Sequence, residues 1–390
     1  MQNLYKIIFL FIIGFSAQAQ ELLSLEDAVK IALENNYDIK IAENNSKIDA
    51  TNNNLANAGM LPSLNANFTN NNSQIDTKQT QADGSERELD NAKNMNLTYG
   101  VGLDWTIFDG LSMFARKEQL NVLEQQGKAE LQTAILTRIS DVYTTYFDLV
   151  QQQQVLASID TAIVISNQRL TTAQNRFSIG KASKLEVLNA QVDLNSDLSL
   201  QLRQKELIKI SKIRLNELLV RDIQTDFKVA NEVTFEQNFD FNELKSTAEK
   251  QNPQLQAQIL SKKVADLNLK QVKGNRYPTV RITSGYNFTR SEASLGFITQ
   301  SSGQGFVYGV TATVPIFNGF LQNRNEKVAK YQVENAKLLL EQQKLSLTSQ
   351  LASLYASYQT NLELVKVEEK NLEIAKQNLD ITLAKFKIGT

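Results

Sequence analysis

Within residues 111–179, one set of apolar residues recurs every seven positions, a spacing typical of a helix that packs along a seam. The repeat is carried by Leu149, Leu156, Ile163, Leu170 and Phe177. The stretch contains no proline and one glycine, Gly127. It predicts a single helix over residues 111–179, which at 1.5 Å per residue would be roughly 100 Å long.

The same seam occurs a second time, 209 positions further along the chain. Its residues are Tyr358, Val365, Leu372, Leu379 and Phe386, and they predict a second long helix over residues 320–388. Upstream, Pro62 and Pro278 lie 216 positions apart in similar contexts. We interpret this as an internal duplication in which each half contains a helix, a β-hairpin, a very long helix and a turn.

Between the helices, the pattern changes to strict alternation of apolar and polar residues. Residues 95–107 alternate without a break, and weaker alternation follows Pro62 and Pro278. These patterns predict hairpins over residues 63–107 and 279–316, with polar loops over 70–94 and 290–304. Such strands fit either a sheet on a soluble core or a transmembrane barrel. Their length, aromatic residues and polar loops favour the barrel.

The alternation assigns side chains to two faces, although an error of one residue in register would exchange them. Because four strands cannot close a barrel, the barrel would be shared between chains. The positions predicted to face lipid are Leu97, Val101, Leu103, Trp105, Tyr308, Val310 and Val314. The positions predicted to face the lumen are Asn96, Thr98, Arg281, Thr283, Asn287 and Thr311.

The N-terminus predicts a signal peptide over residues 1–19. Lys6 precedes an apolar run over residues 7–15, and Ala17-Gln18-Ala19 has the form of a cleavage site. The net charge of −1 argues against a surface for nucleic acid. Since the chain has no Cys and no His, a zinc site, a Cys nucleophile and a Ser-His-Asp triad are excluded. We predict no catalytic, cofactor-binding or metal residues.

Three segments resemble motifs of one family. They are TIFDG at residues 106–110, PIFNG at 315–319 and RFSIGKASKLEVLNAQ at 176–191. Together with the duplicated hairpins they resemble the TolC family of outer-membrane efflux proteins. The resemblance implies a mainly α fold with membrane β-strands: a homotrimer with a 12-stranded barrel, continued by a periplasmic α-helical barrel. It implies a passive duct, not an enzyme, in the outer membrane of a Gram-negative bacterium. The expected partners are a periplasmic adaptor and an inner-membrane transporter, in tripartite efflux or type I secretion.

The resemblance also suggests roles for the turns that end the long helices. By this resemblance, the residues that contact the adaptor would be Phe177, Ile179, Gly180, Lys181, Ala182, Ser183, Phe386, Ile388 and Gly389. Glu186 and Asn189 would correspond to the periplasmic entrance. A plain helix-hairpin turn and a solvated helix face are the alternatives. For the strand-to-helix junctions, Asp109 and Asn318 are suited to cap the helices that follow.

We therefore expect a first repeat over residues 20–220, with a return helix over 184–220, and a second repeat over 241–390. Residues 221–240 would form an equatorial linker. The counterpart of the return helix is expected to be missing after Thr390, as in a fragment. The alternatives to the duct are a periplasmic coiled-coil adaptor or scaffold, which would not require lipid-compatible hairpins, and a soluble secreted enzyme, which only scattered acidic residues would support.

Overall fold

The fold is taken from a computed structural model that describes residues 21–230, 239–296 and 298–388. The predicted signal peptide and Gly389 lie outside the described residues. In chain order, the elements are β1 (Glu21–Leu23), α1 (Leu25–Asn35), α2 (Tyr37–Asn52), β2 (Ser63–Thr80), β3 (Glu86–Asp109), α3 (Ser112–Ser178), α4 (Lys184–Leu218), β4 (Phe227–Val229), α5 (Phe241–Gln251), α6 (Pro253–Gly274), β5 (Thr279–Ala293), β6 (Gln300–Thr313) and α7 (Leu321–Ile388).

The helices that precede each hairpin start and break at equivalent polar residues. Ser24 caps α1 by accepting a hydrogen bond from the N–H of Asp27, and Asp240 caps α5 in the same way. Asn36 separates α1 from α2, and its side-chain oxygen accepts the N–H of Asp38 at 2.9 Å. Asn252 separates α5 from α6, where Pro253 occupies the first turn. Each break is therefore made by an Asn whose side chain caps the next helix.

Strands β2, β3, β5 and β6 form one antiparallel sheet in the order β2-β3-β5-β6. They run further than their alternation predicts: most of the predicted polar loops is strand, and the first hairpin turns only between Thr80 and Glu86. Polar residues there still pair through the main chain, which a hydrophobic pattern does not report. β6 instead ends at Thr313, before the predicted boundary at 316 and two residues before Pro315, which has no N–H to donate.

The long helices α3 and α7 contain 67 and 68 residues. In α3, seam residues Leu149 and Leu170 are buried, and Leu170 packs with Ala190 and Leu194 of α4. In α7, the seam residue Leu372 is 56% exposed. Seam burial therefore differs between the two copies.

The predicted linker contains a strand that the sequence does not indicate. β4 pairs in parallel with β1, and Phe227 and Leu23 are both buried there. They belong to a cluster with Leu149 of α3 and Leu215 of α4. Both strands have only three residues, too few to establish a period. Residues 231–238 of the predicted linker lie outside the described part of the chain.

By internal contacts, the described residues form two compact units. The first covers 21–44 with 131–230 and contains the β1–β4 pair, α4 and the cluster around Leu149. The second covers 45–130 with 239–388 and contains the four-stranded sheet and the packing of α6 on α7.

Candidate functional site

The register of the sheet determines which side chains share a face, because directly paired residues of antiparallel strands point to the same side. Val101 of β3 is opposite Ala66 of β2 and Tyr286 of β5, and Tyr286 is opposite Phe306 of β6. This register defines an apolar face. Its members are Leu64, Ala66, Phe68, Leu97, Tyr99, Val101, Leu103, Trp105, Ile282, Tyr286, Phe288, Phe306, Tyr308 and Val310.

The apolar face is largely uncovered. Tyr308 is 81% exposed and Val310 is 70% exposed. The rings of Tyr99 and Phe288 stack at 4.9 Å between centroids, which fixes part of the face in place. A continuous exposed apolar surface of this kind is suited to lipid or to another apolar surface.

The opposite, polar face carries all six positions predicted to face the lumen. Asn96, Thr98, Arg281, Thr283, Asn287 and Thr311 share this side by register. On it, the Arg281 guanidinium Nε lies 3.3 Å from an Asp104 carboxylate oxygen. Asn96 accepts a hydrogen bond from the Ser291 hydroxyl at 2.8 Å. Charge and hydrogen-bonding groups are therefore gathered on one side of the sheet.

Of the seven positions predicted to face lipid, Val314 alone lies outside the strands, one residue beyond the end of β6. The other six lie on the apolar face. Trp105 is also fixed by a hydrogen bond of 2.9 Å from its indole N–H to the carbonyl of Met60, just before β2. It remains a prediction that the apolar face contacts lipid and that the polar face contacts water.

The two strand-to-helix junctions have the same geometry. The Asp109 carboxylate and the Asn318 amide oxygen each accept the backbone N–H four residues later, at 2.9 and 3.3 Å. Gly110 and Gly319 follow with φ of +70° and +65°. Both predicted caps therefore act on the helices that begin there, in a backbone conformation that favours glycine.

The next residue of each junction, which no sequence pattern singles out, is also left-handed. Leu111 has φ of +68° and Phe320 has φ of +63°. A left-handed conformation costs a non-glycine residue about 1–2 kcal/mol. At Gly110 the space is also tight, because a Cβ there would lie 2.1 Å from the carbonyl oxygen of Gly274.

The second junction has an ion pair that joins the turn after α6 to the first turns of α7. The Arg276 guanidinium binds the Glu326 carboxylate and also donates to Asn323 at 2.6 Å. The Arg276 hydrogen bond lowers the pKa of Glu326 below its usual range. Glu326 is therefore the ionised partner that holds this turn near neutral pH.

At the end of α3, Gly180 has φ of +76° and provides a left-handed cap. The N–H of Lys181 closes the turn on the carbonyl of Arg176 at 2.8 Å. Ser183 then caps α4 through the N–H of Glu186. The Glu186 carboxylate lies 3.5 Å from the Arg176 guanidinium, so it joins the two helices across the turn.

The first turn presents apolar side chains to solvent. Ile179 is 66% exposed, and Phe177, Gly180 and Lys181 are also exposed. Asn189 is exposed, whereas Ala182 and Glu186 are half-buried. Phe386 and Ile388 lie in the last turn of α7. The adaptor and entrance roles of these residues stay predictions.

Two tyrosines, one in each repeat, anchor the starts of the repeats. No sequence pattern used above singles them out. The Tyr146 hydroxyl donates to the carbonyl of Leu23 at 3.0 Å and accepts the N–H of Ala230 at 3.2 Å. The Tyr355 hydroxyl donates to the carbonyl of Phe239 at 3.1 Å. Tyr146 and Tyr355 are 209 positions apart, so identical residues at the offset of the duplication were the available signal.

Tyr146 is the more deeply placed of the two tyrosines, at 2% exposure. Burial raises the pKa of its phenol, while the hydrogen bond from the Ala230 N–H opposes that rise. The hydroxyl therefore stays protonated through the neutral range and continues to donate to Leu23.

Within residues 21–230, 239–296 and 298–388, no group of acidic side chains is arranged to hold a metal ion. The helices in those ranges include none with both the length and the apolar character required to cross a membrane.

Comparison with known proteins assigns the chain to a family. The outer membrane efflux protein family matches residues 28–220 and 244–390. Outer membrane protein TolC of Escherichia coli (strain K12) is 22% identical over 270 residues, covering 66% of this chain and 54% of TolC. Protein CyaE of Bordetella pertussis is 23% identical over 268 residues, covering 67% of this chain and 55% of CyaE. The chain thus spans about half the length of these curated relatives.

Solved structures share the fold at low sequence identity. The CmeC outer membrane channel of Campylobacter jejuni has a TM-score of 0.78 at 18% identity, covering 94% of this chain and 77% of CmeC. The outer membrane protein VceC of Vibrio cholerae has a TM-score of 0.78 at 15% identity, covering 94% and 86%. These likenesses confirm the predicted mainly helical fold with a β-sheet portion. By its sequence match, the chain belongs to the outer membrane efflux protein family.

Proposed function

We propose that the chain supplies one part of an outer-membrane exit duct that passively conducts substrates from a periplasmic adaptor and an inner-membrane transporter to the exterior. The duct would be a homotrimer with a 12-stranded barrel, serving tripartite efflux or type I secretion. Membership of the outer membrane efflux protein family supports an outer-membrane location and a channel rather than an enzyme. The observation that carries the proposal is the two-sided sheet.

The apolar face has dimensions suited to a bilayer. Along β3 it runs from Leu97 to Trp105, eight residue steps, or about 27 Å at ~3.4 Å per step. At a strand tilt near 40° this corresponds to about 21 Å across the membrane, close to the ~25 Å apolar band of barrel proteins. Arg281 and Asp104 on the other face then need water, which a lumen provides.

The edges of the sheet support shared closure. β2 and β6 are its outer strands. Unpaired main-chain groups cost several kcal/mol each in lipid, so a membrane sheet must close on itself. Since about eight strands are the minimum for a barrel, four strands require at least one more copy.

The turn between α3 and α4 is the proposed adaptor contact. Ile179 and Phe177 project apolar surface from a turn fixed by Gly180 and Ser183. Phe386, Ile388 and Gly389 would serve the equivalent turn of the second repeat. Glu186 and Asn189 would lie at the entrance, where the Arg176–Glu186 pair would hold the first helix pair together.

Thiol labelling tests the sidedness directly, because the chain has no cysteine of its own. Thr283→Cys should react with a water-soluble maleimide in outer membranes, and Val310→Cys should react only with a lipid-soluble reagent. Native mass in detergent should show a trimer. Reversed labelling would contradict the assignment of the faces, and a water-soluble monomer from the periplasm would favour a coiled-coil scaffold instead.

A further inference from the structure

The polar face of the four-stranded sheet carries few charges. The strands pair without a register shift over residues 63–73, 94–106, 279–292 and 300–313. Within these described stretches, the charged residues are Asp104, Arg281, Arg290 and Glu292. Arg290 is opposite Leu97, and Glu292 lies two residues further along β5, so both point to the side of the apolar face. In these stretches, only Asp104 and Arg281 bring charge to the polar face.

The charges of Asp104 and Arg281 cancel each other. Asp104 is opposite Thr283, and Arg281 is the neighbouring residue of β5 on the same face. Long side chains in such diagonal positions can reach each other, and here the guanidinium Nε lies 3.3 Å from the carboxylate oxygen. The two side chains are 51% and 43% exposed, so water reaches both of them.

The remainder of the polar face is uncharged. Over the same stretches, its residues other than this pair are Asn, Thr, Ser and Gly, with the single exception of Val307. Amides and hydroxyls form hydrogen bonds but carry no net charge. They therefore attract neither cations nor anions over a distance, and the fixed charge of this face depends on Asp104 and Arg281.

We propose that Asp104 and Arg281 set the charge selectivity of the barrel lumen, and that the lumen admits anionic and cationic substrates alike because the two charges cancel. This proposal deepens the proposed function and rests on it, since it takes the polar face to line a water-filled lumen. In a homotrimer, the pairs of all copies lie at one level, near the helical end of the barrel, because Asp104 is five residues before the helix cap Asp109. A ring of charged side chains in a pore favours ions of the opposite sign.

Reversal potentials of the purified protein in planar bilayers, measured across a potassium chloride gradient, test the role of the pair. Asp104→Asn leaves the guanidinium groups uncompensated and should favour chloride. Arg281→Gln leaves the carboxylates uncompensated and should favour potassium. Each should change the permeability ratio about threefold from the wild type near 0.1 M salt, where the Debye length is about 10 Å. The double variant should return to the wild-type ratio.

The salt concentration and the opposite face provide controls. At about 1 M salt the Debye length falls to about 3 Å, so the shifts of both single variants should nearly disappear. Arg290→Gln removes the same charge from the same strand, but from the side of the apolar face. It should leave the permeability ratio unchanged.

A charge added after assembly makes the test independent of how the charge variants fold. The chain has no cysteine, and Thr283 is directly opposite Asp104 on the polar face. Thr283→Cys in an inserted channel should shift toward chloride after reaction with a positively charged methanethiosulfonate. It should shift toward potassium after reaction with a negatively charged one.

The outcomes separate this proposal from the duct itself. Opposite shifts in the two single variants, lost in the double variant, support it. A conducting channel whose permeability ratio is unchanged in both single variants and after both reagents overturns the role of the pair and leaves the duct standing. A shift with Arg290→Gln in place of Arg281→Gln overturns the assignment of the pair to the lumen. Protein that inserts into no bilayer and conducts no ions overturns the duct and this proposal together.

Discussion

Replacing Tyr146 by phenylalanine removes a hydroxyl that holds both β1 and the residue after β4 against α3. The ring remains, so the change creates no large cavity in the cluster around Leu149. It leaves two main-chain groups without their partner: the carbonyl of Leu23, in a residue 1% exposed, and the N–H of Ala230.

The size of the effect follows from these two groups. A buried polar group left unsatisfied costs about 1–3 kcal/mol. The carbonyl of Leu23, in a buried residue, should bear more of that cost than the N–H of the half-buried Ala230, which can recover part of it from water. We expect a total of about 2 kcal/mol. Since ~1.4 kcal/mol is a factor of ten, local opening of the β1–β4 pair should rise about 30-fold.

Hydrogen exchange of the detergent-solubilised protein, followed in peptides that cover β1 and β4, measures that opening without requiring reversible global unfolding. Tyr355→Phe is the matched control: its acceptor belongs to Phe239, which is 42% exposed, so water can replace the hydroxyl. We expect an effect of about 0.5 kcal/mol there. Exchange in Tyr146→Phe within threefold of the wild type, or equal effects in both variants, would refute the reasoning.

The same tyrosine sets a pH dependence. Because its pKa is raised in the folded protein, its contribution to stability is fully present below the ordinary tyrosine pKa of about 10. That contribution is lost as the pH rises through the higher folded value. The comparison of the variants therefore belongs near pH 7, where the phenol is protonated in both states.

Three further changes have defined expectations. Gly110→Ala should lower the apparent melting temperature in detergent far more than Gly180→Ala, because both have positive φ but only the first places a Cβ against a main-chain oxygen; equal losses would contradict the packing described. Acidification below the ordinary glutamate pKa should loosen the turn after α6, because the lowered pKa of Glu326 means that its bond to Arg276 stabilises at higher pH and is lost as the carboxylate protonates. Exchange in this turn should rise at low pH, and Glu326→Gln should remove that rise. Leu149→Ala should cost about 2–5 kcal/mol at a fully buried site, and a melting temperature unchanged from the wild type would argue against that core.

The sequence was most informative where a period persisted. Seven-residue spacing in the second half of each stretch, with no proline in either, predicted α3 and α7 to within a residue or two. Alternation correctly separated Thr98 from Val101 and Thr283 from Tyr286, because each strand keeps its faces through the apolar region.

The structural features that could not be predicted from the sequence lack such a period. The polar halves of β2 and β3 have no apolar face, so Asn71 and Gln74 were predicted as loop although they belong to the main-chain ladder. The β1–β4 pair is too short to show alternation. The left-handed Leu111 follows Gly110, whose backbone lies close to that of Gly274, and an aliphatic side chain gives no local sign of such a conformation.

The extra length of the first hairpin has a practical consequence. β3 pairs with β5 only as far as Asn94, so beyond that point β2 and β3 continue as a two-stranded ribbon that turns between Thr80 and Glu86. Gly84, in the turn, has open space around its Cβ position. Polar turns of this kind tolerate inserted sequence well. The ribbon is therefore a natural site for an epitope tag, with which the protein could be detected and purified without altering the apolar face.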